Sequence, residues 1–181
     1  LNPVMLTGIK VGGESRCELA RDAGADVQRL WDETRKALTV QSLTQAEGWY
    51  RYDLIKHTRE LDSQSLAIKS ETTARRHTTN QRPIASRSAD LLQEQGYVVQ
   101  SEDGYWSYFA PDADVLLSDQ FLATHCLSVQ AGFGEEEGLV GLAFRPRSRR
   151  GRSTDIEGVL WLERETARLR WLDFRYWNLP E

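Results

Sequence analysis

The chain has 181 residues, of which 40% are hydrophobic and 28% charged, and a net charge of −4. That length and apolar content suit one domain, or one domain with an arm, and exclude a disordered polymer. A mean hydropathy of −0.55, with no apolar run near the roughly 20 residues a span needs, excludes an integral membrane helix; the acidic balance argues against a dedicated nucleic-acid binder.

The chain opens Leu1-Asn2-Pro3-Val4, with its single methionine at Met5 and no basic-then-apolar signal region. The natural start is expected upstream, with a start at Met5 as the alternative. Residues 1–16 read as an extended linker or arm, because Gly8, Gly12 and Gly13 interrupt Val4, Leu6, Ile9 and Val11. Residues 17–181 read as a single domain.

Residues 22–38 read as a helix. Val27, Leu30, Trp31, Thr34, Ala37 and Leu38 recur at helical spacing and make one apolar stripe. Residues 47–61 and 65–79 read as two long strands. The first is aromatic-rich (Trp49, Tyr50, Tyr52), the second carries threonines, and Asp62-Ser63-Gln64 supplies turn chemistry between them. Strands that long would span roughly 45 Å, which suggests a strongly curved sheet.

Ser88 to Gln95 reads as a short helix stopped by Gly96. Tyr97–Gln100 and Tyr105–Phe109 flank an Asp103-Gly104 turn and read as a hairpin. Ser118 is a cap for a short helix carrying Phe121 and Leu122. Beyond Cys126 the pattern is all strand: Leu127–Ala131, Leu139–Phe144, Ile156–Glu163 and Ala167–Trp177. On the last, Leu172, Phe174 and Tyr176 share one face, and Trp171, Asp173, Arg175 and Trp177 the other.

The two cysteines, Cys17 and Cys126, stand in no metal-ligand or CxxC spacing. One structural disulfide in an exported protein fits them, with two unrelated buried thiols as the alternative. Such a bridge closes a loop of about 108 residues, for which chain entropy gives at most roughly 4–5 kcal/mol of stabilisation.

The C-terminal third carries a resemblance. The runs Ser118–Cys126, Glu137–Phe144, Asp155–Leu162 and Leu172–Tyr176, with Trp31-Asp32-Glu33 and Lys36-Ala37-Leu38 in the helix, resemble an exported module of Gemmatimonadota-type environmental bacteria. In that family the module follows a carboxypeptidase-regulatory-like β-sandwich, sometimes in an outer-membrane-associated protein. Leu1-Asn2-Pro3-Val4 is similar to the linker after that sandwich. The resemblance implies an exported protein of the periplasm or cell surface, with an upstream domain of the same chain as a possible neighbour, and carries no assigned chemistry. In shape, a leading helix, long strands and the closing Gly158–Leu162 and Leu169–Leu172 hairpin are similar to lipoprotein-carrier and sigma-regulator sensor folds, which are half-open barrels around an acyl chain or a lipid-modified partner.

Candidate chemistry is sparse. His57, His77 and His125 are far apart and form no HExxH or HxH, so no metal site or cofactor is expected. His125 is a poor base for Cys126, since neighbours on a strand point to opposite faces. No GxSxG occurs. Asp112, Asp114 and Asp119 suit capping and turns better than a calcium loop. Arg145, Arg147, Arg149, Arg150 and Arg152 form a basic loop that reads as solvated, or as a contact for an anionic surface. The aromatic set reads as sheet core, or as a concavity for an apolar ligand or sugar.

The expected fold is α+β: one strongly curved, half-barrel-like antiparallel sheet of about seven strands on a long N-terminal helix. The leading expected function is a non-catalytic envelope binding module with an apolar or amphipathic ligand, a lipid or a glycan, in the concave face. Trp49, Tyr52, Trp106, Trp161 and Trp171 would line that face, with the arginine loop at its rim. A carbohydrate-binding or adhesion domain is the alternative, and a hydrolase whose site one sequence does not show is the third.

Overall fold

The computed structural model describes residues 21–47, 51–62, 64–65, 67–78, 85–147 and 153–179. Among the described residues the chain is α+β, with four α-helices and eight strands, and these strands form three antiparallel sheets of two, two and four strands. It divides into two compact units, residues 1–41 with 86–181, and residues 42–85.

The first unit is built on a four-stranded meander, β5 (His125–Ala131), β6 (Leu139–Pro146), β7 (Asp155–Glu163) and β8 (Leu169–Trp177), paired in sequence order. Period-two alternation sends Val129, Leu142, Leu160 and Leu172 to one face in a single row, since each is registered with the next. Val140, Leu142, Ile156 and Leu162 on this face are essentially inaccessible.

Helical side chains complete the same cluster: Leu30, Trp31 and Leu38 from α1 (Arg21–Ala46), Leu92 from α2 (Ala89–Gln95), Val115 and Leu116 from α3 (Ala113–Leu116), and Phe121 from α4 (Asp119–Thr124). Thr34, on the apolar stripe of α1, is fully buried and satisfies its hydroxyl on the Leu30 carbonyl at 2.8 Å. Asp112 caps α3 by accepting from the Val115 amide at 3.0 Å, and Ser118 caps α4 by accepting from the Phe121 amide at 3.1 Å. α2 stops at Gly96, whose φ is +84°. A Cβ there would come within 2.9 Å of the Thr154 backbone, so glycine also permits a close chain approach that the Tyr97 amide closes on the Thr154 carbonyl at 2.8 Å. The hairpin of β3 (Val98–Gln100) and β4 (Trp106–Tyr108) turns at Gly104 and meets β8 through an edge-on Tyr108–Tyr176 contact of 5.5 Å.

The second unit contains one ribbon, β1 (Tyr52–Leu61) paired with β2 (Ile68–Thr78). Asp62 ties its turn, accepting the amides of Gln64 at 3.1 Å and Ser65 at 2.9 Å.

The expected half-barrel is overturned. Among the described residues the strands do not merge into one curved sheet of seven on a long helix; the largest sheet has four strands, the other four form two separate pairs, and none curls into a barrel. The physical reason lies in β1 and β2: their long runs carry charges and threonines where a shared sheet would need a repeating apolar face. With that barrel the likeness in shape to the lipid carriers falls away. The leading helix also runs further than its apolar stripe, to Ala46, because no Gly or Pro occurs between Leu38 and Gly48 to stop it.

Candidate functional site: the outer face of the four-stranded sheet

The face of β5–β8 turned away from the core mixes polar and apolar side chains. Alternation places Cys126, Ser128 and Gln130 of β5, Arg145, Ala143 and Gly141 of β6, Glu157, Val159 and Trp161 of β7, and Arg175, Asp173 and Trp171 of β8 on it. Over this face lies an open hollow of about 460 Å³, lined by Ser128, Gln130, Arg145, Glu157, Asp173 and Arg175 together with Val159 and Ala143.

The outer face has a charged end, at the hollow, and an aromatic end one rung beyond Asp173. At the charged end Arg175 donates from Nε to Glu157 at 2.6 Å across the β7–β8 pair, while Arg145 is exposed on the neighbouring strand. One rung along stand Ser128, Ala143, Val159 and Asp173, and beyond them Gln130, Gly141, Trp161 and Trp171. Asp173 links the two halves: one of its oxygens accepts the indole N–H of Trp161 at 3.0 Å and that of Trp171 at 2.9 Å. A carboxylate between two indole donors holds both rings in fixed planes.

The two tryptophans differ in exposure. Trp161 is 4% exposed and Trp171 37%. Gly141 explains the first: a Cβ there would sit 2.9 Å from the Trp161 ring, so only glycine leaves room for the indole to lie against β6. Trp161 is therefore a wall, and Trp171 is the indole with surface to offer.

The sequence-expected residues are dispersed. Trp161 and Trp171 face each other across β7 and β8, and Arg145 lines the hollow. Trp106 lies on the separate β3–β4 sheet, and Tyr52 in the β1–β2 ribbon of the second unit. Arg147 is tied beside β5, donating from its amide to the Thr124 carbonyl at 2.9 Å and from Nε to the His125 carbonyl at 3.2 Å. Trp49, Arg149, Arg150, Arg152 and Cys17 lie outside the described residues. Cys126 is buried on the outer face of β5, and its expected bridge to Cys17 stays a proposal.

Ser128, Gln130, Glu157 and Asp173 were not singled out as ligand residues by sequence reasoning. The signal for them was the same alternation that assigned Trp171, Asp173 and Arg175 to one face of the last strand, carried over to β5 and β7.

His125 belongs to the other face. It is buried, stacks on Phe121 at 4.0 Å, and presents Nδ1 to the Phe121 carbonyl at 3.0 Å and Nε2 to the Ile156 carbonyl at 3.1 Å. Asp155, also buried, approaches Nε2 at 3.2 Å. Both ring nitrogens are committed to core oxygens, and the ring points away from the Cys126 face, so the pair does not form a nucleophile and its base. Among the described residues no group of three His, Cys, Asp or Glu side chains is placed to hold a metal ion, and no helix is long and apolar enough to cross a membrane.

No protein-family model, no curated protein and no solved structure matches the chain.

Proposed function

We propose that the chain is a non-catalytic binding module whose outer sheet face holds a glycan. One observation carries the reading: Asp173, which lines the hollow with Ser128, Gln130, Glu157 and Arg175, also accepts both the Trp161 and Trp171 indoles on the adjoining rung of the same face. A sugar ring has an apolar C–H face and a rim of hydroxyls. The C–H face suits the exposed indole of Trp171, and the hydroxyls suit the mixture of donors and acceptors beside it. A hydrocarbon chain is the poorer occupant, because it offers no hydrogen bond to the Ser128, Gln130 and Arg145 side chains that line the hollow.

An exported setting goes with this reading, and so does the Cys17–Cys126 bridge. The bridge is tested by mass measurement under alkylation with and without reductant. Protection of both thiols until reduction is expected; two thiols alkylated in the native protein without reductant would defeat it.

The ligand is tested with a glycan array, followed by calorimetric titration of the hits against Trp171→Ala and Asp173→Ala. Saturable binding that weakens at least about tenfold in each variant is expected, equivalent to about 1.4 kcal/mol. Binding unchanged by both variants, or saturable uptake of fatty acids with no glycan bound, would overturn the glycan reading.

A further inference from the structure

Among the described residues the β1–β2 ribbon has no third strand. Among them β1 pairs only with β2, so its far edge carries a row of backbone donors and acceptors with no described strand beside it. Nearly every side chain of the ribbon is exposed, including Ile55 at 52% and Leu61 at 46%. A two-stranded ribbon of this length is marginal in water unless something is added to it.

The charges on the ribbon distinguish its two strands. On one face Arg59 bonds Glu71 at 3.0 Å, and Asp53 bonds both Arg75 and His77, so those charges are matched across the ribbon. On the other face Lys56 stands opposite Ala74, and Glu60 stands opposite Ser70, whose neutral hydroxyl donates to it at 3.3 Å. Neither Lys56 nor Glu60 has an opposite charge as its cross-strand neighbour within the ribbon.

We propose that two copies of the chain pair antiparallel through β1, about a two-fold axis at Thr58. In that register Lys56 of each copy lies opposite Glu60 of the other, and Ile55 opposite Leu61. The pairing completes both unmatched charges, covers two exposed aliphatic side chains and continues the two ribbons into a four-stranded sheet. It is self-complementary, as a two-fold interface requires. The same operation on β2, centred on Thr73, is the weaker choice: Glu71 and Arg75 would face each other there, but both are already engaged within their own ribbon.

The proposal is independent of the glycan reading, and its test uses no ligand. Sedimentation equilibrium is measured for the full chain, for Lys56→Glu, for Glu60→Lys and for the double reversal Lys56→Glu/Glu60→Lys. Circular dichroism checks that each keeps the native spectrum. The unaltered chain is expected to dimerise. Each single reversal, which places two like-charge pairs in the interface, should raise the dimer dissociation constant at least about tenfold. The double reversal should restore dimerisation to within about threefold of the original. A chain that stays monomeric at millimolar concentration, a dimer indifferent to the single reversals, or a double reversal that fails to recover would each overturn the proposal.

Discussion

The four-stranded sheet and the β1–β2 ribbon are made of strands of nearly equal length, yet they have opposite physical characters. β7 has nine residues and places Ile156, Leu160 and Leu162 in the core. β1 has ten, and no residue of it is buried. The contrast shows that strand formation and sheet burial are separate properties of a sequence. Threonines in β2, and Tyr52, Ile55 and Thr58 in β1, favour the extended backbone. An apolar residue at every second position, matched on the neighbouring strand, is what gives β6 and β7 a face that helices can cover.

The largest expected effect breaks the covered face. Leu142 is fully buried in the middle of β6, and Leu142→Ala should cost about 2–5 kcal/mol from lost burial and the cavity left behind. Ile55→Ala on the ribbon, where the side chain is half exposed in the isolated chain, should change monomer stability by less than about 0.5 kcal/mol. Urea denaturation of both variants, in dilute solution where the chain is monomeric, gives the two values directly. Equal losses would mean that the ribbon contributes to the same cooperative core.

A smaller effect sharpens the contrast within the sheet. A Cβ on Gly158 would meet the Asp173 carbonyl oxygen at 2.2 Å and the Phe144 ring at 2.9 Å. Gly158→Ala should therefore destabilise by about 1–3 kcal/mol through overpacking, where glycine-to-alanine in an unconstrained strand is neutral or mildly favourable. A thermal melt that does not fall would show that β7 and β8 separate more easily than their register implies.

The smallest effect belongs to the ribbon turn and is read by acid titration. The amide of Ser65, then Lys69 and the amide of Gln64, hold the Asp62 carboxyl down to about 2 from an ordinary value of 3.8. A carboxylate depressed in the folded state contributes fully above its unfolded value, and the contribution is lost as pH falls through the folded one. The turn should thus stay tied at pH 4 and loosen progressively towards pH 2. Carboxyl carbon shifts of Asp62 and the amide shifts of Gln64 and Ser65 follow this by NMR. A midpoint at the ordinary aspartate value would show that the turn bonds are not made in solution.

The same contrast explains what the sequence discloses. Leu127–Ala131, Leu139–Phe144 and Ile156–Glu163 are legible almost to their ends because alternation or a continuous apolar run is visible in one segment alone, and the structure extends them by at most two residues at either end. The caps at Ser118 and Gly96 are equally local. Pairing is not local. Residues 47–61 and 65–79 look like strands, and their length alone suggests one curved sheet with β5–β8. Their composition holds the contrary signal, since Ile68 and Ala74 are the only aliphatic residues in Ile68–Thr78. The site was half legible for the same reason. The tryptophans stand out by size, whereas Glu157, Ser128 and Gln130 acquire a shared meaning only when two connections bring β5, β6 and β7 side by side.

Residue-resolved amide hydrogen exchange, on the chain at dilute monomeric concentration, tests this division most directly. The account predicts that the amides within β5–β8 exchange only through global opening, with protection matching the stability measured in urea, while those of β1 and β2 exchange orders of magnitude faster through local opening. Protection of equal size in the ribbon and in the four-stranded sheet would contradict it, because it would require the ribbon to share the cooperative core that its sequence does not provide.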